Sequence, residues 1–384
     1  MRTAFLSLLL AAAASAQQPV TSAQFEGRPG LRLSNDKLSA TVLTQGGPIV
    51  ELLLSDDPEK LNPLWNPVRF AREAGQPDRG QGSSFGNFIC VDGFGPVSKE
   101  EQAAGLSGHG EAHHINWENE SHEKRGNTTT LKFSLRLPIV QEVLTRTLQL
   151  VDGENVIYIE SELENLLGFD RPINWAEHAT IGSPFLEPGK TVVDTSAGPS
   201  RTRSHDSDSP RIPYLLAPGQ DFVWPMAPRP NGQLFDVRIA PLNPNSSGHT
   251  ATLLDPSRRL VYVTALHPEK RLLIGYVFRR EEYPWLQSWL NYPAEGRLAR
   301  GMEFGTQPYD VPRRQTITEG SMFGAPSYRW LPAKSKIGSR FLLFYTRTPE
   351  GMQGVDDVRL ENGRLVIEDH ATGKRITLPA SLPL

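Results

Sequence analysis

Gln141-Glu142-Val143-Leu144-Thr145-Arg146-Thr147-Leu148-Gln149-Leu150, followed by Val151-Asp152-Gly153 and then Val156-Ile157-Tyr158-Ile159-Glu160, is the stretch that sets the fold class. Leu144, Leu148 and Leu150 share one parity, while Thr145, Thr147 and Gln149 share the other. That period of two is the pattern of a half-buried strand. Asp152-Gly153 is a hairpin signal between two such runs. Upstream, Thr129 to Ile139 reads as a further strand. Lys37 to Leu43 alternates, and Gly46-Gly47 turns the chain into Ile49 to Leu54. Downstream, Arg259 to Leu266, Leu272 to Phe278 and Arg340 to Thr346 are strand candidates. Val358-Arg359-Leu360, Asn362-Gly363 and Arg364 to Ile367 make a second hairpin, and Arg375 to Leu378 adds an edge strand.

Helical periodicity is scarce. Asp57 to Leu61 and Lys99 to Ala104 each have room for a turn or two of helix, and Ser196 to Pro213, rich in Ser, Asp, Arg and Pro, reads as a long exposed loop. There is no repeat of solenoid or propeller length. The expectation is an all-β chain, a single large antiparallel β-sandwich.

The N-terminus begins Met1-Arg2-Thr3, continues with an apolar run from Ala4 to Ala14, and reaches Ala14-Ser15-Ala16 before Gln17. These are the three parts of a secretory signal peptide. We expect cleavage after Ala16, a folded domain over 17–384, and a periplasmic or extracellular location. The run is too short to span a bilayer, and no later segment is long and apolar enough to do so. The single cysteine, Cys90, excludes an internal disulfide. Net charge is −3, with 40 basic and 43 acidic residues scattered along the chain. That balance points to neither nucleic acid nor an anionic membrane as a partner. The 33 glycines and 32 prolines suit many strands joined by many turns.

Gly301-Met302-Glu303-Phe304-Gly305-Thr306-Gln307-Pro308-Tyr309-Asp310-Val311-Pro312 sets one carboxylate in an apolar, turn-rich segment. Burial there disfavours the charged form and raises a carboxylate toward the range useful for proton transfer. The segment resembles the late glutamate block of aldose 1-epimerases (mutarotases), through Glu303, Thr306-Gln307 and Tyr309-Asp310, with two residues inserted. Gly108-His109-Gly110 with Trp117 resembles the His-Gly block of hexose-6-phosphate mutarotase-like proteins. Asn174 to Thr180, around His178, resembles the family's central histidine block. Gly86, Cys90, Phe94 and Gly95 resemble a fourth block of the phosphosugar branch. The four lie in family order. Both arginines of the phosphosugar blocks are missing, their positions being taken by Ser84 and His113. Planar phosphate binders are therefore lost, and the expected substrate is an unphosphorylated sugar.

The resemblance implies the supersandwich of galactose mutarotases and interconversion of α and β anomers without metal or cofactor. It implies Glu303 as general base, His178 as general acid and His109 in the sugar site; His113, Asn87 and Trp117 are further residues expected to bind the sugar. Trp175, Trp285 and Trp289 are further candidates for an aromatic sugar platform, and glycine beside His109 would let a ligand approach the backbone. His109, Glu111, His113 and His114 form a dense cluster, but Gly108 and Gly110 oppose the helix that a metal-binding spacing would need. Two alternatives stay open at this point. One is a non-catalytic sugar-binding protein. The other is a different carbohydrate-active enzyme, for which Glu111 or Glu177 would partner Glu303.

Overall fold

The structure is a computed structural model and describes residues 20–77, 84–205, 210 and 212–384. The leader-like segment 1–16 lies outside them. Two large antiparallel sheets face each other. The eight-stranded sheet runs in the order Val192–Thr195, Leu260–His267, Leu272–Arg279, Lys336–Arg347, Val156–Asn165, Glu142–Val151, Thr128–Leu137, Glu118–Arg125. The fourteen-stranded sheet carries Ile49–Leu54, Asn87–Val91, Trp175–Gly182, Ala299–Gly301, Trp285–Tyr292, Ser246–Leu254 and Ala197–Thr202 through its middle, with Glu303–Gly305 pairing both Trp175–Gly182 and Trp285–Tyr292. Between the sheets, Phe133, Leu144, Leu148 and Ile159 pack with Trp175, Ile181, Leu286 and Phe304. This is the expected all-β sandwich.

The alternation read in the sequence sets the facing. Along Glu142–Val151, Leu144, Leu148 and Leu150 are buried and Thr145, Thr147 and Gln149 are partly exposed. The last three strands, Asp357–Glu361, Arg364–Asp369 and Lys374–Pro379, form a separate meander. Its Val358, Leu365 and Ile367 pack on Tyr262, Leu273, Val277 and Phe344. The part of the eight-stranded sheet formed by Leu260–His267, Leu272–Arg279, Lys336–Arg347 and the start of Val156–Asn165 is therefore covered on both faces by apolar side chains. The sheet's far edge, Glu118–Arg125, is exposed throughout and densely charged, which opposes pairing with another chain.

Three expectations need correction. Asp57 to Leu61 makes turns rather than a helix; helices run over Pro67–Glu73, over Lys99–Ala103 as expected, and over Arg313–Glu319. Asn66 caps the first, its side chain accepting from Arg69 N, and proline occupies the start of that helix. Ala197 to Thr202, placed in a loop from composition, is a strand paired with Ser246–Leu254, because its neighbour supplies the ladder that its own residues do not advertise. Finally, Gly110 makes room for the protein's own backbone rather than a ligand. At φ 84° a Cβ there would lie 2.2 Å from Val91 O.

Candidate active site

Register assembles the site. Trp175–Gly182 pairs Glu177 with Phe304 and Thr180 with Gly301, so His178 stands opposite Glu303. His178 also pairs with Phe88, Glu303 with Gln287, and Gln287 with Ala251. The result is one cross-sheet row, Phe88–His178–Glu303–Gln287–Ala251, on the face turned away from the core. Alternate residues of the same strands, Glu177, Phe304, Leu286 and Ile89, point into the sandwich.

Glu303 and His178 approach with Nε2 to Oε1 at 3.4 Å, and their side chains are 1% and 9% exposed. Glu303 Oε2 accepts from Gln287 Nε2 at 2.8 Å. The other end of the same amide, Gln287 Oε1, accepts the Asp310 N–H at 2.6 Å, which fixes its orientation. Glu303 Oε1 is buried and has no hydrogen bond. Burial, then the nearby Asp310 carboxylate, raises the Glu303 carboxyl well above its usual range. Burial, then His109 and His113, lowers the His178 imidazole well below its usual range. His178 Nδ1 shares a hydrogen bond with Thr180 Oγ1 at 2.9 Å. Gly301 is needed here, since a Cβ on it would lie 2.1 Å from Glu303 Oε1.

Around this pair lies a cleft of about 220 Å³ lined by Trp65, Phe88, His109, His178, Trp289 and Asp310 among others. Phe88 stacks on His178 at 4.2 Å and on His113 at 4.1 Å. His109 meets His178 edge-on at 5.2 Å. Its Nδ1 accepts the Gly95 N–H at 3.3 Å, which leaves the ring proton on Nε2, and burial lowers its pKa to about 4. Asp310 is ion-paired with Arg203.

The structure thus brings Glu303, His178 and His109 to one cleft. His113 stands behind Phe88 rather than on the cleft wall. Its Nε2 is 3.1 Å from Ser84 Oγ, so the two positions where the phosphosugar branch has arginine touch each other. Asn87 and Trp117 are not in the cleft. Asn87 is one residue from Phe88 and so faces the core, where its Nδ2 donates to Glu177 at 3.1 Å. Trp117 is 3% exposed, packs on Phe133, and donates from Nε1 to Ala112 O. Trp175 and Trp285 are fully buried. Trp289 does line the cleft, and Trp65, Phe88 and Gln287 join the site unannounced. A usable signal for Gln287 exists, since it lies two residues before Trp289 and so shares its face. Glu177 and Glu111 are turned elsewhere: Glu177 binds Arg146 at 2.8 and 3.0 Å, and Glu111 accepts the Ile139 and Val140 N–H groups.

Comparison with solved structures fits this architecture. The chain is similar to a galactose mutarotase-like protein from Clostridium acetobutylicum (TM-score 0.57, 12% identity, 85% of this chain and 98% of the other). It is similar to a galactose mutarotase related enzyme from Lactobacillus acidophilus (0.55, 13%, 86% and 100%). A galactose mutarotase-like protein from Lactobacillus casei gives 0.54, 14%, 83% and 100%. This chain has the galactose mutarotase-like fold. No protein-family profile and no curated protein sequence matches it, so the supersandwich is recognised through its three-dimensional arrangement. Among the described residues no helix is long and apolar enough to cross a membrane.

Proposed function

We propose that this protein is an aldose 1-epimerase-like enzyme acting on an unphosphorylated sugar. The observation that carries this reading is the 3.4 Å approach of His178 Nε2 to the unpartnered Glu303 Oε1 at the floor of the cleft. Opening a pyranose needs one proton taken from the anomeric hydroxyl and one given to the ring oxygen. Those two oxygens sit on one carbon, so acid and base must converge on a small region, as this pair does. Rotation of the freed aldehyde and reclosure on its other face then reverse the transfers.

Burial refines the roles. It favours the neutral form of both groups, so the resting proton belongs on Glu303 and His178 offers a lone pair. In that tautomer His178 Nδ1–H donates to Thr180 Oγ1. The pair holds one proton to give and one site to receive, and after each transfer the proton can return along the Glu303–His178 contact. The assignment of Glu303 as base and His178 as acid describes the same pair in its charged state. Trp65 and Trp289 supply faces on which the C–H surface of a sugar can stack, and His109 a ring N–H. A glycosidase would need a second carboxylate about 5–9.5 Å across the cleft. Asp310, the other carboxylate lining the cleft, is ion-paired with Arg203, and Glu177 and Glu111 are committed to Arg146 and to backbone amides, which leaves the epimerase reading ahead. We further propose that the activity lies outside the cytoplasm, on the strength of the leader-like N-terminus.

The test is anomer exchange of freshly dissolved α-glucose and α-galactose, followed by polarimetry or proton NMR. Acceleration should be lost by about 10²–10⁴-fold in Glu303→Gln and in His178→Asn. A folded wild-type protein that accelerates no aldose would sink the epimerase reading, and sugar binding without acceleration would replace it with a carbohydrate-binding function.

A further inference from the structure

The cleft over His178 and Glu303 does not end at the reacting pair. It shares Trp65, His249 and Trp289 with a neighbouring groove of about 810 Å³. The floor of that groove is the same strand pair that holds Gln287. Register sets His249 beside Trp289 and Ser247 beside Asn291, and Tyr214 bridges to Ser247. Gln287, Trp289 and Asn291 share one face, so they lead away from Glu303 in steps of about 6.5 Å. Trp65 and Trp289 meet edge-on with ring centroids at 5.4 Å and form the neck.

The chemistry of this surface is specific. Its lining includes aromatic planes at Trp65, Trp289 and Tyr214, the last with one face covered by His205, and the neutral hydroxyl and amide of Ser247 and Asn291, while its charged residues, Glu295 and Arg297, are of opposite sign. Aromatic planes suit the apolar C–H faces of sugar rings, and amides and hydroxyls suit their hydroxyl groups. A monosaccharide seated over Glu303 would leave the groove unfilled. Building on the epimerase reading, we propose that the substrate is the reducing end of a neutral oligosaccharide. Its terminal unit occupies the cleft at His178 and Glu303, and the units behind it lie along Trp289, Asn291 and Tyr214. The groove is then the part of the site that selects chain length.

Two measurements on the full protein separate this proposal from the reading it rests on. Binding is followed by intrinsic tryptophan fluorescence with methyl glycosides of one to four units from the cello-, malto-, xylo- and galacto-series. These have no free anomeric hydroxyl and cannot turn over. A trisaccharide glycoside of the preferred series should bind about tenfold tighter than its monosaccharide counterpart. That ratio should fall toward one in Tyr214→Ala and Asn291→Ala. Equal affinity for all lengths in every series overturns the groove assignment. Anomer exchange with the free sugars of the same series tests the chemistry separately. Acceleration of monosaccharides without any gain on lengthening also overturns the groove proposal, whereas length-dependent binding with no acceleration of any sugar keeps the groove and removes the epimerase.

Discussion

Glu177 and Glu303 stand on adjacent antiparallel strands, nearly equally buried, on opposite faces of one sheet. Glu177 receives two hydrogen bonds from Arg146 and one from Asn87, so both its oxygens are engaged. Glu303 receives one, from Gln287, and its other oxygen is left for His178. The first carboxylate ties the two sheets together. The second is held where its charge is disfavoured. A buried carboxylate with a guanidinium is architecture; the same group with an open lone pair, a glycine cut away beside it and an imidazole within reach is poised for proton transfer.

The contrast can be broken from either side. The largest effect is expected at Arg146→Met, which strands Glu177 in the core and should cost about 3–5 kcal/mol of stability. Urea denaturation would read it, and adding Glu177→Gln should recover part of the loss. A wild-type midpoint in Arg146→Met would show that the pair holds nothing together. Next comes Gly301→Ala. The added methyl displaces the Glu303 carboxylate, and misplacement of about 1 Å can reduce turnover by about 10²-fold. Anomer exchange should therefore fall while the fold survives by circular dichroism; unchanged exchange would detach Glu303 from the chemistry.

The smallest effect sharpens the comparison through pH. Glu303 has a folded pKa raised above its unfolded value, so its stabilising balance is complete below pH 4.5 and is lost as pH rises toward the folded pKa. Glu303→Gln removes that loss. Its melting temperature should match wild type near pH 4 and exceed it by on the order of 1–3 °C at pH 8. A lower melting point at pH 8 would mean that Glu303 is stabilising as an anion. His178 has the opposite sign: its depressed pKa gives stability present above about pH 6.5 and lost as pH falls toward the folded value. Anomer exchange should accordingly be highest over the pH range in which the pair holds a single proton, and decline as a second is added in acid or the last is removed in base.

Much of the fold was legible because its long strands carry period-two patterns, as at Glu142–Val151, or turn signals, as at Asp152-Gly153 and Asn362-Gly363. Glu118–Arg125 escaped notice because an edge strand exposed on both faces has no apolar beat. Glu303, His178 and His109 could be singled out because each sits in a local motif. Asn87 and Trp117 could not be placed, since facing depends on partner register and packing. One position separates Asn87 in the core from Phe88 at the site, just as one separates Glu177 from His178. The same limit hid Trp65 and Gln287, which reach the cleft only once strands far apart in the chain are paired.

The meander over the eight-stranded sheet has a consequence for how the chain must be made. Leu273, Val277, Leu342 and Phe344 depend for cover on strands that begin at Asp357. Synthesis runs from the N-terminus, so this apolar face is complete before its cover is translated. A sheet folded before those strands are in place would expose this apolar surface, and a cut between Arg347 and Asp357 would free its cover in the finished protein. The integrity of this molecule therefore turns also on strands that lie apart from the cleft at His178 and Glu303.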